Sequence, residues 1–124
     1  MPDASTIVSG FQQALGKGDF VAARKLVHDN LSFQGPMDAF NSPEPYFESL
    51  KKLHPIIQRI DMKKMFADGN DVCVLYDLVT KTPIGTAFVC EWYQVKGEKI
   101  ANVRIVFDAR PFAAMFAKSA PQKS

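Results

Sequence analysis

The 124 residues read as an α+β domain, with helices packed into the concave face of a curved, mostly antiparallel sheet. Three observations predict this class. Apolar residues recur at helical spacing through the first half of the chain. From Ile56 onward they alternate with polar ones, which is the period of strands. A chain of this length also buries roughly two-thirds of its unfolded surface, so it needs no metal or disulfide to hold it together.

The elements follow in order. Asp3 or Ser5 can cap a first helix that runs to about Gly16 on a stripe of Ile7, Val8, Phe11, Ala14 and Leu15. Gly18 supplies a stop and Asp19 a new cap. A second helix then carries Phe20, Ala23, Leu26 and Val27, and Asp29-Asn30 ends it. Leu31 to Gln34 is a short strand closed by Gly35-Pro36. Ser42 caps a third helix with Pro43 and Pro45 in its first turn, where a missing N–H costs nothing. Tyr46, Phe47, Leu50 and Leu53 form its buried face, and Pro55 stops it. Strands are expected at about 56–66, 72–80, 86–96 and 99–107, separated by the turn residues Asp68-Gly69-Asn70, Thr82 to Gly85, and Gly97-Glu98. A final helix spans Phe112 to Ala117. The domain is expected to cover 1–118, with 119–124 as a loose polar tail.

Composition excludes several function classes. Apolar residues make up 47% and charged residues 23%, a globular pattern. The net charge is +2, with the basic residues scattered rather than striped, which argues against nucleic acid. Cys73 and Cys90 form no CxxC and no Cys/His cluster, so neither a metal nor another cofactor is expected. The start, MPDASTIVSG, lacks a basic segment followed by an apolar one, and no apolar run reaches the ~20 residues of a membrane helix. The expected setting is the cytoplasm, as a soluble protein.

The last hairpin can be read in register. Gly97-Glu98 as a two-residue loop with glycine first favours a type II′ turn and pairs Lys96 with Lys99. Behind it Val95 meets Ile100, Tyr93 meets Asn102, and Glu91 meets Arg104. This sorts the side chains into an apolar face (Phe88, Cys90, Trp92, Val103, Ile105, Phe107) and a mixed face with an opposite-charge pair. The apolar face should receive the helices. The mixed face (Val89, Glu91, Tyr93, Asn102, Arg104) is too apolar for plain exposure and suits a homodimer interface.

The string VSGFQQALGKGDFVAARKLVHDNLSFQGP, followed later by WYQVKGEKIANVRIVFD, resembles the nuclear transport factor 2-like superfamily, and within it the SnoaL-like branch. The most telling pieces are Gly18-Asp19 between two helices, the Asp29-Asn30 step into a strand, and Gly97-Glu98-Lys99-Ile100 running to Phe107-Asp108. The resemblance implies a cone, a bent sheet around three helices with an apolar cavity at the wide end. It does not choose among isomerases, cyclases, hydrolases and binding subunits. Ketosteroid isomerases of the superfamily need a tyrosine, a shuttling aspartate and a protonated aspartic acid. The corresponding places here hold Phe11, Gly35 and Cys90. Limonene-type epoxide hydrolases need an aspartate where this chain has Ile105, with an arginine and an aspartate where it has Phe88 and Cys90. On this reading both mechanisms lack their acids.

The pocket implied by this reading is lined by Phe11, Leu15, Phe33, Met37, Tyr46, Leu50, Phe88, Cys90, Trp92, Val103, Ile105 and Phe107, a set that favours a small apolar or aromatic ligand. Two acids remain as candidate bases. Asp77 lies inside an apolar strand, and alternation alone does not say which face it occupies. Asp38 lies in the loop near the expected cavity mouth. Asp108 reads as a cap of the final helix, and His28 and His54 as residues at helix ends. Three functions follow: a pocket protein for a small apolar molecule, without required catalysis; a SnoaL-like isomerase, cyclase or hydrolase working on a ring compound through Asp77 or Asp38; or a protein-binding adaptor.

Overall fold

The computed structural model describes residues 3–119, except the side chains of 116–119. Helix α1 spans Ala4–Gly16, with Asp3 as its cap accepting from the Thr6 N–H. Helix α2 spans Phe20–Lys25, capped by Asp19 through the Ala22 N–H. Strand β1 (Val27–Gln34) and the two-residue β2 (Ala39–Phe40) follow, then α3 (Pro43–Leu53) and a 3-10 turn, His54–Ile56. Strands β3 (Ile57–Asp68), β4 (Asp71–Thr80), β5 (Thr86–Lys96) and β6 (Lys99–Val106) form the meander, and α4 is Arg110–Ser119. No helix among the described residues is long and apolar enough to cross a membrane.

The six strands make one curved, unclosed sheet in the order β2-β1-β6-β5-β4-β3, antiparallel except where β1 runs parallel to β6. α1, α2 and α3 are the three N-terminal helices expected. α1 presses Ile7, Val8 and Phe11 onto the concave face, where Phe11 meets Tyr93 and Phe47 edge-on at 5.9 and 6.4 Å.

Three local expectations are corrected. α2 stops two residues short, because Val27 and Leu31 are wholly buried in β1 and the Ile100 N–H donates to the Leu26 carbonyl at 2.8 Å. The parallel pairing takes the backbone that a longer helix would have used. Asp29, Asn30 and His28 therefore lie in a strand, with His28 Nδ1 accepting from the Asn30 N–H. Ser42 sits at the start of α3 in extended backbone, but its side chain makes no capping bond.

The larger correction concerns register. Gly97 and Glu98 both have positive φ, 57° and 64°, so the turn is type I′ rather than II′. Lys96 pairs with Lys99 and Val95 with Ile100 as expected, but Gln94 then pairs with Asn102, leaving Ala101 as a bulge. Ile100 and Val103 differ in parity and would fall on opposite faces of a regular strand. The bulge lets both turn inward, and both are buried. It also shifts every later pair by one, so Tyr93 meets Val103, Glu91 meets Ile105, and Trp92 meets Arg104.

On β5 the inward residues are therefore Val89, Glu91, Tyr93 and Val95, continuing the inward row Val72, Val74, Tyr76 and Leu78 of β4. Phe88, Cys90 and Trp92, expected under the helices, stand on the convex face. Conversely Val89, Glu91 and Tyr93, expected at a dimer surface, are buried beneath the helices. Only Asn102 and Arg104 of that set remain outside, bonded to Ser32 and Gln34 of β1.

Candidate functional site

Helices and sheet diverge to leave a cavity of about 810 Å³. Its sheet wall is built by Tyr76 and Leu78 of β4, Val89 and Glu91 of β5, Ile105 beyond them on β6, and Phe107 just after β6. Gln12 and Leu15 of α1, Tyr46 and Leu50 of α3, and Phe112 and Met115 of α4 face them across the space. Strand alternation explains the sheet contribution, since every second residue of each strand points into the cone.

Of the acidic and basic side chains in the lining, Asp38, Lys52 and Arg59 are exposed at its rim, whereas Glu91 is 5% exposed, set among the apolar residues of the sheet wall. Its Oε1 accepts from the Tyr76 hydroxyl at 2.8 Å and from Gln12 Nε2 at 3.3 Å, and Gln12 Nε2 also donates to the Tyr93 hydroxyl. Burial raises the Glu91 carboxyl above its ordinary range, while the bonds from Tyr76, Tyr93 and Gln12 pull the other way without cancelling it. Its named partners are all neutral. Burial and the nearby carboxyl hold Tyr46, Tyr76 and Tyr93 well above the usual phenol value. Tyr46 stacks on Phe33 at 4.6 Å, and its buried hydroxyl has no hydrogen-bond partner among the described residues.

The residues expected in the pocket divide. Leu15, Phe33, Met37, Tyr46, Leu50, Ile105 and Phe107 do line it, whereas Phe11 and Val103 are enclosed in the core behind it. Phe88, Cys90 and Trp92 are on the other side of the sheet. Asp77 is also on the convex face, with Lys63 Nζ at 3.3 Å, so it cannot act as a base in the cavity. Asp38 stands exposed at the cavity mouth, its carbonyl taking the Gly35 N–H.

The family positions are occupied as follows. A Cβ at Gly35 would lie 2.9 Å from Ile105 Cγ2, so no shuttling side chain fits there without moving Ile105. Ile105 itself faces the cavity, and Phe11 is core. Cys90 points away, but its neighbour Glu91 points in. The family places themselves hold no acid, and the carboxyl that does enter the cavity, Glu91, stands one residue further along the strand.

Glu91, and with it Gln12, is missed as a site residue because the regular hairpin register sends Glu91 outward, opposite Arg104. A signal was present in the sequence. Glu91 alternates with Val89, Tyr93 and Val95, a row too apolar for solvent. Asp108 does cap α4, accepting from the Arg110 N–H at 3.1 Å, and the Arg110 guanidinium and N–H hold its carboxyl down to about 2. His54 closes α3 and packs edge-on to Phe20 at 5.8 Å.

Comparison with known proteins agrees with this geometry. Residues 8–103 match the model of the SnoaL-like domain. A nuclear transport factor 2-like protein of unknown function from Cytophaga hutchinsonii is 29% identical, with a TM-score of 0.80 over 91% of this chain and 96% of that one. A Silicibacter pomeroyi protein with a cystatin-like fold is 15% identical, with a TM-score of 0.75 over 90% and 84% of the two chains. An LEH-like epoxide hydrolase of M. tuberculosis is 18% identical, with a TM-score of 0.71 over 90% and 93% of the two chains. No curated protein matches. The cone, its inward-facing strand rows and the match over 8–103 lead to one conclusion: the chain belongs to the SnoaL-like domain family, within the nuclear transport factor 2-like superfamily.

Proposed function

We propose that the chain is a pocket protein for a small, largely apolar ring compound that places one polar group against Glu91. The observation that carries this reading is that Glu91 is the one buried carboxyl among the described residues lining a mainly apolar cavity of about 810 Å³. A carboxyl buried among apolar side chains costs free energy that its hydrogen bonds from Tyr76 and Gln12 offset only in part, and an apolar pocket with a few convergent polar groups is the usual form of a small-molecule site. A thermal-shift screen of hydrophobic ring compounds tests it. Ligands should raise the melting temperature of the wild type, and filling the cavity by Leu50→Trp should abolish the rise. Stabilisation by no compound, or equal stabilisation of the filled variant, refutes the reading.

Acid–base catalysis in the same pocket is a second reading, favoured by the raised carboxyl of Glu91 beside the Tyr76 hydroxyl. A carboxyl whose pKa is raised by burial is a stronger base once ionised, and can take a proton from one atom of a substrate and return it to another. Exchange of the α-hydrogens of 2-tetralone in D2O, followed by mass spectrometry, should be faster with the wild type than with Glu91→Gln. Equal rates exclude it. Asp77 has no part in this version.

We also propose that the convex face joins a second copy of the chain. Phe66, Phe88, Trp92 and Val106 are 54, 59, 42 and 61% exposed there, with Leu75, Cys73 and Cys90 between them. A patch of this kind on a sheet is unusual for a surface that meets only water.

A further inference from the structure

We infer that Cys73 and Cys90 form a chelating pair of thiols on the convex face, fitted to a trivalent arsenic centre that carries one aryl group. The cavity has no part in this site, so the two readings stand or fall separately.

The sheet brings together two cysteines that lie 17 residues apart in the chain. Cys73 of β4 pairs with Trp92, and Cys90 of β5 pairs with Leu75, so the two are diagonal neighbours on adjacent strands. Their Sγ atoms lie 3.5 Å apart, and both are free, partly exposed thiols. Diagonal neighbours stand about 7–8 Å apart from backbone to backbone. That is at or beyond the separation a disulfide spans without moving the strands. The pair is better placed to share a third atom than to join directly.

The distance also selects the geometry around the shared atom. Two thiolate bonds of about 2.3 Å that meet at about 100–109° hold their sulfurs about 3.5–3.8 Å apart, whereas the same bonds in a straight line need about 4.6 Å. A bent centre fits the pair, and a linear two-coordinate ion such as mercury(II) does not.

Ligand number narrows the class further. Among the described residues no third histidine, cysteine or carboxylate joins the pair. The two acids of the same strand row are engaged elsewhere. Asp71 accepts from the Trp92 indole N–H at 2.9 Å, and Asp77 faces Lys63 Nζ at 3.3 Å. A tetrahedral zinc ion would lack half its ligands here. Arsenic(III) with one organic group has two valences left, and two thiols fill them. Trp92 stands across from Cys73, with Leu75 and Val106 on either side of Cys90, so an aryl substituent has an apolar surface to rest on.

The bonds balance without an oxidant. In hydrated phenylarsine oxide the arsenic holds two hydroxyls. Each Sγ displaces one hydroxyl, which leaves as water with the thiol proton. Two As–O bonds give way to two As–S bonds, and no oxidation state changes.

Both thiols lie inside the band proposed to meet a second copy, so the chain is tested dilute, as wild type and as Phe88→Lys. Phenylarsine oxide should add once per chain by intact mass, in one form or both. The adduct should survive excess monothiol and be released by 2,3-dimercaptopropanol, a result that needs no further variant. Cys73→Ser and Cys90→Ser should each weaken binding about a hundredfold or more, the gain expected of a second ligand already held in place. The emission of Trp92 should fall on addition to the wild type and stay unchanged in both serine variants. Two adducts per chain, none on either form, release by monothiol, or undiminished binding by a single-cysteine variant would overturn the inference and leave the cavity reading untouched.

Discussion

A single carboxyl carries the chemical character of the cavity, and its burial has a measurable consequence. The folded chain holds the Glu91 proton to higher pH than the unfolded chain, where the carboxyl titrates at its ordinary value of 4.5. Between the two values the folded state binds more protons. Stability must therefore fall as pH rises through that window, and level off once the folded form has ionised. Glu91→Gln keeps the shape and an acceptor oxygen for Tyr76 but removes the titration. Its urea-unfolding stability should lack this decline, and parallel wild-type and variant curves across the window would refute the assignment. Glu91→Ala should instead cost about 2–4 kcal/mol, because Tyr76 and Gln12 lose their acceptor and a hole opens. The tightest spot in the wall gives a second check. Gly35→Val would drive a side chain into Ile105, with even its Cβ at 2.9 Å, and should destabilise by about 1–3 kcal/mol. Of these residues, Tyr46 and Ile105 were legible in the sequence as pocket positions from helical and strand periodicity. Glu91 was not, since a carboxyl on a half-apolar strand face reads as well at a surface as in a site.

Why that one residue was misplaced is a question about a strand pair. The hairpin loop and its first two pairs, Lys96 with Lys99 and Val95 with Ile100, follow from Gly97-Glu98 and are found. The bulge at Ala101 does not follow from local sequence. Alanine suits either face, and only the joint burial of Ile100 and Val103 against the helices demands the extra residue. The same kind of competition shortens α2, where parallel pairing of Val27 with Ile100 outweighs helical spacing. Elements bounded by strong turn residues, α1 and β3 to β6, were legible because each carries its own period and stops. The tight turn also holds a correctable strain. Glu98 has φ 64°, a conformation that glycine and asparagine adopt far more readily. Glu98→Asn should raise stability by about 0.5–1 kcal/mol, a gain of about 2–4 °C in melting temperature. A fall, or no change, would mean that the turn is not type I′ in solution.

At the scale of the molecule, the inverted register moves the interface as well as the cavity. The convex face presents a continuous apolar band: Phe66, Cys73 and Trp92 lie side by side across three strands, with Leu75, Cys90 and Val106 in the next row and Phe88 beyond. Its edges are charged, with Lys63 against Asp77, Lys64 above the Phe66 ring and Arg104 on Gln34. An apolar centre with a polar rim is the anatomy of a protein interface, and a stable one buries about 800 Å² on each partner. A two-fold pairing of this face would cover the band once and leave none exposed, which is why a second copy is the occupant proposed. Light scattering should then give twice the 13.8 kDa chain mass, and Phe88→Lys should give a single chain with its far-UV spectrum intact. Phe88 suits the purpose because it is more than half exposed, so its loss leaves the core untouched. Trp92, the chain's single tryptophan, reports independently: its emission should shift to the blue as wild-type protein is concentrated, and stay red-shifted in Phe88→Lys. A wild type that remains at 13.8 kDa at every concentration would refute the pairing and leave the band free for a partner of another kind.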